Sequence, residues 1–191
     1  MAAVTERLLL GEVGEVSGVP LLPLVAWDRI ANEVADRLLT EWGHWLGGCN
    51  RPFGRQSWGL WLDGQVVAVA VSASTVNARC GGYNRREVVE LARLCAHPDH
   101  RDLTRVALRL WRKTAARAWA ARYWPVRAYV SYSDATRHRG DVYRFDGWRK
   151  VADTRGGHRR RRLDALEDLC AEIGVGLRPV TERESDDAPA P

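Results

Sequence analysis

The stretch SWGLWLDGQVVAVAVSAS, residues 57–74, constrains the fold more than any other. Two runs rich in strand-forming residues flank Asp63-Gly64, and a two-residue hairpin turn needs positive φ at both central positions, which Asp-Gly supplies readily. An antiparallel pair must therefore lie inside the chain, and its helices must pack on that sheet. With 191 residues, 46% of them hydrophobic, the chain suffices for one well-buried domain and is short for two.

Around the hairpin the spacing of apolar residues sets the other elements. From Trp27 to Trp42, Ile30, Val34, Leu38 and Leu39 recur at helical intervals with Asp28 near the start, which predicts an amphipathic helix. After Gly81-Gly82, EVVELARLCAHP reads as a third strand ending at Pro98. A long helix is predicted from Leu103 to Ala121, with Leu103, Val106, Leu110, Thr114, Ala118 and Ala121 on one face. VRAYVSYSD is a strand, GDVYRFDGW a short helical turn, and RKVADT a closing strand. The boundaries expected are an N-terminal extension over 1–19, one α/β domain over 20–155, a basic linker with a short helix over 156–176, and a disordered tail over 177–191.

Charge and cysteine usage narrow the partners. The net charge is +5, and Lys113 and Lys150 are the only lysines. Arginine forks suit phosphate and base edges, so DNA is an expected partner, while a GC-rich genome would produce the same bias. The nine tryptophans divide between core packing and stacking on a ligand, with Trp45, Trp58 and Trp61 candidates for stacking on a base. Cys49, Cys80, Cys95 and Cys170 form no CxxC pair, and His44, His97, His100 and His138 with Cys95 and Asp134 match no zinc or iron spacing. No metal is expected. No apolar run approaches the roughly 20 residues of a membrane helix, so a reduced cytoplasmic protein without membrane contact is expected.

Polar residues gather where strand 126–134 ends. Ser131 and Ser133 lie on one face, because residues two apart on a strand do. Two roles are open to Asp134: orienting a substrate amine, or capping the turn that follows. Glu90 and Arg93, three positions apart, face opposite sides of their strand unless a bulge intervenes.

AHPDHRDLTRVALRL followed by YVSYSD and YRFDGW resembles the GCN5-related N-acetyltransferase (GNAT) superfamily, with Pro98, Arg101, Tyr143 and Gly147 in its motif places and Trp148 where Phe is usual. The resemblance implies a mixed, mostly antiparallel sheet flanked by helices in a single α/β domain. It implies acetyl-CoA or a related acyl-CoA as donor, contacted by Arg101, Thr104, Leu94 and Ala96. Tyr143 would protonate the departing thiolate, with Asp134 or Glu90 acting through water as the base and Ser131 or Ser133 bonding the acyl carbonyl or the pantetheine amide. Asp102, Thr104 and Val106 hold the positions where the family's phosphate loop usually has glycine.

A narrower likeness is to the phage Mom-like branch, which modifies adenine in DNA. It rests on His44-Trp45, Glu90-Leu91-Ala92-Arg93, Ser131-Tyr132-Ser133-Asp134, and His138 through Tyr143, with Trp45 where Tyr is more usual. That branch implies His44, Trp45, Arg93 and His138 as substrate contacts and a base extruded into the pocket. The sequence therefore supports three readings: a Mom-like transferase acting on DNA adenine, a conventional acyl-CoA N-acetyltransferase for a small amine or protein, and a DNA-binding module whose catalysis has lapsed.

Overall fold

The computed structural model describes residues 15–16, 19–20, 24–80, 82–134, 137–154 and 173–179. The arginine run 159–162, Cys170 and most of the expected N-terminal extension and tail lie outside the described residues.

The hairpin forms as its turn residues dictate. Strand β2, Arg55–Leu62, pairs antiparallel with β3, Gln65–Ala73, through Asp63 at φ 49° and Gly64 at φ 81°. β3 is buried on both faces, which explains its unbroken apolar run. Its alanines Ala68 and Ala70 meet the bulky side of the core, which holds Trp111 and Trp119, while Val69 and Val71 meet Ala35 and Leu39.

The segment 27–42 is not one helix. Val25–Ile30 is strand β1, paired with β2 from Val25↔Leu62 to Ile30↔Ser57, and helix α1 covers only Asn32–Glu41. Tertiary contacts override the helical spacing here. Trp27 stacks on Trp58 with ring centroids 5.8 Å apart, and its Nε1 donates to Thr114 Oγ1 at 3.1 Å. A helix could not present Trp27 and Val25 to the same side of the sheet so regularly.

Strand β4, Val88–Ala96, follows a short 3₁₀ turn; a second 3₁₀ segment, Pro98–Leu103, leads into helix α2, Thr104–Ala120. The buried stripe of α2 is Ala107, Leu108, Trp111, Ala115, Ala116 and Trp119. The stripe expected from Leu103 through Ala121 is thus rotated, and Val106 and Ala121 are exposed. Large tryptophans decide the rotation, since burying Trp111 and Trp119 removes more apolar area than burying Val106 and the small alanines.

Strand β5, Ala128–Asp134, helix α3, Asp141–Phe145, and strand β6, Arg149–Thr154, follow as expected. Ile173–Pro179 then forms strand β7, which pairs antiparallel with both β5 and β6. This corrects the boundaries at 155, 176 and 177, because residues 173–179 belong to the sheet. Their glycine-interrupted sequence carries little strand signal, and unpaired edges of β5 and β6 recruit it. The sheet order is β6-β7-β5-β4-β3-β2-β1, antiparallel except for β4 and β5. α2 covers one face and α1 the other.

Candidate functional site

The one parallel pair opens a slot. β4 and β5 pair from Val88↔Ala128 to Leu91↔Ser131 and then part. β4 stays on β3 as far as Ala96↔Ala68, and β5 stays on β7 as far as Asp134↔Ile173, so each follows its outer neighbour. The parting coincides with a bulge. Opposite β3, Leu91 pairs with Ser72 and Arg93 with Val71, which leaves Ala92 as the extra residue that bends β4.

The divergence leaves a cavity of about 970 Å³, large among small-molecule sites. Leu94, Cys95 and Ala96 of β4 form one wall, and Tyr132, Ser133 and Asp134 of β5 the other. Trp42 to Trp45 after α1, Arg101, Thr104 and Arg105 at the start of α2, and Arg137 to Tyr143 complete it. Most of the residues singled out from the sequence therefore meet here: Tyr143, Asp134, Ser133, His44, Trp45, His138, Arg101, Thr104, Leu94 and Ala96. Ser131, Glu90 and Arg93 do not line it.

Tyr143 is held at the base of the slot. Gly140, just before α3, turns the chain with a φ of 71°, and the Tyr143 ring meets Trp148 edge-on at 5.4 Å. Its hydroxyl lies 3.0 Å from Ser131 Oγ, which lies 3.1 Å from the Leu91 carbonyl. Burial raises the phenol above its ordinary range, and the Ser131 bond partly offsets this, so the hydroxyl keeps its proton at neutral pH. The α3 turn is tied to α2 through buried Asp146, which accepts from Arg112 Nε at 3.0 Å and Trp148 Nε1 at 3.1 Å.

Across the mouth, the segment after α1 meets the loop after β5. Burial, with the positive charge of Arg93 and His138, holds His44 down at about 4, so it is neutral at physiological pH. Its Nδ1 accepts from Leu46 N at 3.3 Å, which puts the ring proton on Nε2 as a donor. Asp134 anchors the turn through its backbone and a neighbouring arginine through its side chain. Its backbone carbonyl accepts from Arg137 N and His138 N, and its buried carboxylate lies 3.3 Å from Arg137 Nε. The Arg137 guanidinium in turn sits 5.3 Å over the Trp45 ring. Arg137 and Arg105 escaped the sequence reading, and Tyr132 entered it only as part of the Ser131–Asp134 motif, with no role of its own. Strand alternation was the available signal for Tyr132, which lies between two serines and on the opposite face from them.

Glu90 and Arg93 share a face after all, because the bulge at Ala92 resets the alternation between them. Both turn to the segment 47–51. Arg93 donates to the carbonyls of Gly47, Gly48 and Ala92, at 3.1, 2.9 and 2.7 Å. It therefore holds that segment and is not spare for a substrate. Glu90 is buried, 2.6 Å from Arg51 Nη2, with Oε2 lacking a hydrogen-bond partner among the described residues. The ion pair favours the carboxylate and burial opposes it; burial wins and raises Glu90 to about 7. Of the tryptophans expected to stack on a base, Trp58 is buried against Trp27, away from the cavity, and Trp45 alone lines it.

The slot fits an acyl-CoA. Beyond Leu91 the edge of β4 that faces β5 has no strand partner among the described residues, the arrangement an extended amide-bearing chain can pair with. At the start of α2 the N-cap residue, Leu103, has no side chain that could bond the first amides, and Thr104 folds its hydroxyl back onto the Arg101 carbonyl at 2.8 Å. That clears the helix start despite the missing glycines, with the guanidiniums of Arg101 and Arg105 beside it. Among the described residues no cluster of three or more His, Cys, Asp or Glu could hold a metal, and no helix is long and apolar enough to cross a membrane.

No family model and no curated protein matches the chain. Solved structures do match it. The GNAT-family acetyltransferase from Streptococcus pneumoniae covers 82% of this chain and 99% of its own at TM-score 0.53 and 12% identity. YncA of Salmonella typhimurium, with its cofactor acetyl-CoA, covers 87% and 98% at TM-score 0.57 and 13% identity. The IAA acetyltransferase from Bacillus cereus covers 81% and 99% at TM-score 0.50 and 13% identity. At such identities the likeness establishes the fold, a mixed α/β domain with a mostly antiparallel sheet flanked by helices, as in GNAT acetyltransferases. None of these matches speaks for the Mom-like branch or for DNA.

Proposed function

We propose that this protein is a GNAT-type transferase that moves an acyl group from acyl-CoA to an amine. The observation that carries the reading is the parting of β4 from β5 after Leu91↔Ser131, with the Tyr143 hydroxyl buried at its base. Leu94 and Ala96 would flank the pantetheine arm, and Arg101, Arg105 and the start of α2 would hold the phosphates. When bound, the donor supplies an acyl carbon activated as a thioester, whose C–S bond breaks as the acceptor nitrogen bonds to it.

The chain's own residues supply the proton transfers. Tyr143 keeps its proton at neutral pH and gives it to the departing sulfur, a role suited to a phenol beside a thiolate. Glu90, at about 7, accepts the acceptor's proton through water. Neutral His44 offers its Nε2 proton to the acceptor, and Trp45 shapes the mouth. Ser133 is available to the donor's amides. Asp134 holds Arg137 over Trp45 and so sets the acceptor side.

The test is thiol release from acetyl-CoA with a panel of amines, proteins and duplex DNA. Amine-dependent release by the parent chain, lost in Tyr143→Phe, is expected. Release by neither would sink the reading and leave a lapsed binding module. DNA adenine as acceptor, the Mom-like reading, is supported only by the net charge of +5, the resemblance of the quoted motifs and exposed Trp45. Mass spectrometry of nucleosides from the same reactions decides it.

A further inference from the structure

We infer that Ser131 is a positioning residue that aims the Tyr143 proton and then stabilises the phenolate left behind; this rests on Tyr143 being the proton donor. The sequence offers Ser131 or Ser133 to the acyl carbonyl or the pantetheine amide, but Ser131 is 2% exposed and does not line the cavity. Its place in the sheet gives it another task. Leu91↔Ser131 is the last paired rung before β4 and β5 part.

Ser131 Oγ has two acceptors within reach, the Leu91 carbonyl at 3.1 Å and Tyr143 Oη at 3.0 Å, and its O–H donates to the phenol oxygen. That bond occupies a lone pair of Oη and leaves the phenol's own proton to be aimed at the sulfur. The hydroxyl bonded to Tyr143 Oη is that of Ser131 and not that of Ser133, two residues on.

Tyr143 passes its Oη proton to the thiolate formed as the C–S bond breaks, and the negative charge moves from sulfur to the phenolate oxygen. The Ser131 O–H already points at that oxygen, and the bond strengthens as the oxygen becomes charged. Water restores the phenol proton after the thiol leaves. Ser131 thus orients the phenol without receiving its proton.

The test uses the full chain with ¹³Cζ-labelled tyrosine, five residues in all, with the Tyr143 resonance identified by its loss in Tyr143→Phe. The resonance should move at neutral pH in Ser131→Ala and return in Ser131→Thr. A resonance that stays put in folded Ser131→Ala overturns the hydrogen bond. In turnover, Ser131→Ala should lower kcat at least about tenfold with the KM for acetyl-CoA nearly unchanged, and should cost nothing further on a Tyr143→Phe background. An equal loss on both backgrounds overturns the coupling. Undiminished turnover in Tyr143→Phe overturns the proton-donor reading and the inference together, and the resonance separates that case from a broken hydrogen bond. Should Ser131→Ala not fold, Ser131→Cys, similar in size and a weaker donor, takes the same measurements.

Discussion

Burial drives Glu90 up to about 7 and His44 down to about 4, and the two shifts act oppositely on stability. Folded Glu90 keeps a proton that the unfolded chain releases near 4.5, so its contribution to stability falls as pH rises from about 4.5 to 7. Its full size is at most about 3 kcal/mol. Folded His44 refuses a proton that the unfolded chain takes below 6.5, so its contribution is lost as pH falls from 6.5 toward 4. Thermal unfolding against pH checks this. Glu90→Gln should remove the decline between pH 5 and 7, and an unchanged slope would show Glu90 to be ionised throughout. If Glu90 is the base, the same variant loses the rise of kcat/KM around pH 7. Tyr143→Phe should fold normally and lose about 10²-fold or more in kcat. Tyr143, His44 and Asp134 were legible because each stands in a motif or at a strand end. Arg51 was not: it reaches Glu90 from 39 residues away, a proximity no local pattern records.

Two elements carry the site's precision. The α3 turn depends on Asp146, whose carboxylate gathers Arg112 and Trp148 and so fixes the residue three positions past Tyr143. Asp146→Ala leaves Arg112 buried without this partner. We expect a loss of about 3 kcal/mol in chemical denaturation, with weaker turnover. The segment after α1 depends on Asp36, which accepts from Cys49 N at 2.8 Å and pairs with Arg55. A Cβ on Gly48 would stand 2.6 Å from Asp36 Oδ1, so Gly48→Ala must displace this clasp. The expected outcome is a lower Tm and weakened acceptor affinity at His44, with donor affinity retained. The hairpin was legible because Asp63-Gly64 determines its turn locally, whereas the start of α1 was misread because Trp27 answers to Thr114 and Trp58.

At the scale of the whole molecule, the sheet is completed by a strand from near the chain's end. β7 pairs with β5 on one side and β6 on the other, so removing residues 173–191 should strand β6 and strip β5 of a neighbour at Tyr132, Ser133 and Asp134. A chain ending at 172 is expected to unfold at a markedly lower temperature and to bind acetyl-CoA poorly; undiminished Tm would refute β7's part in the sheet. Acetyl-CoA binding to the full chain should raise Tm, by about 2.7 kcal/mol of linkage at a hundredfold excess over Kd. The sequence by itself determined the hairpin, the succession from β4 to β6, and the gathering of polar residues at the end of β5, since turn chemistry and side-chain periodicity act over a few residues. Tertiary structure alone decided the strand identity of 25–30, the face α2 buries, the bulge that brings Glu90 and Arg93 to one side, and the insertion of β7. Each of these turns on which distant surface an element can bury or pair with, and that free energy exists only once the partners have met.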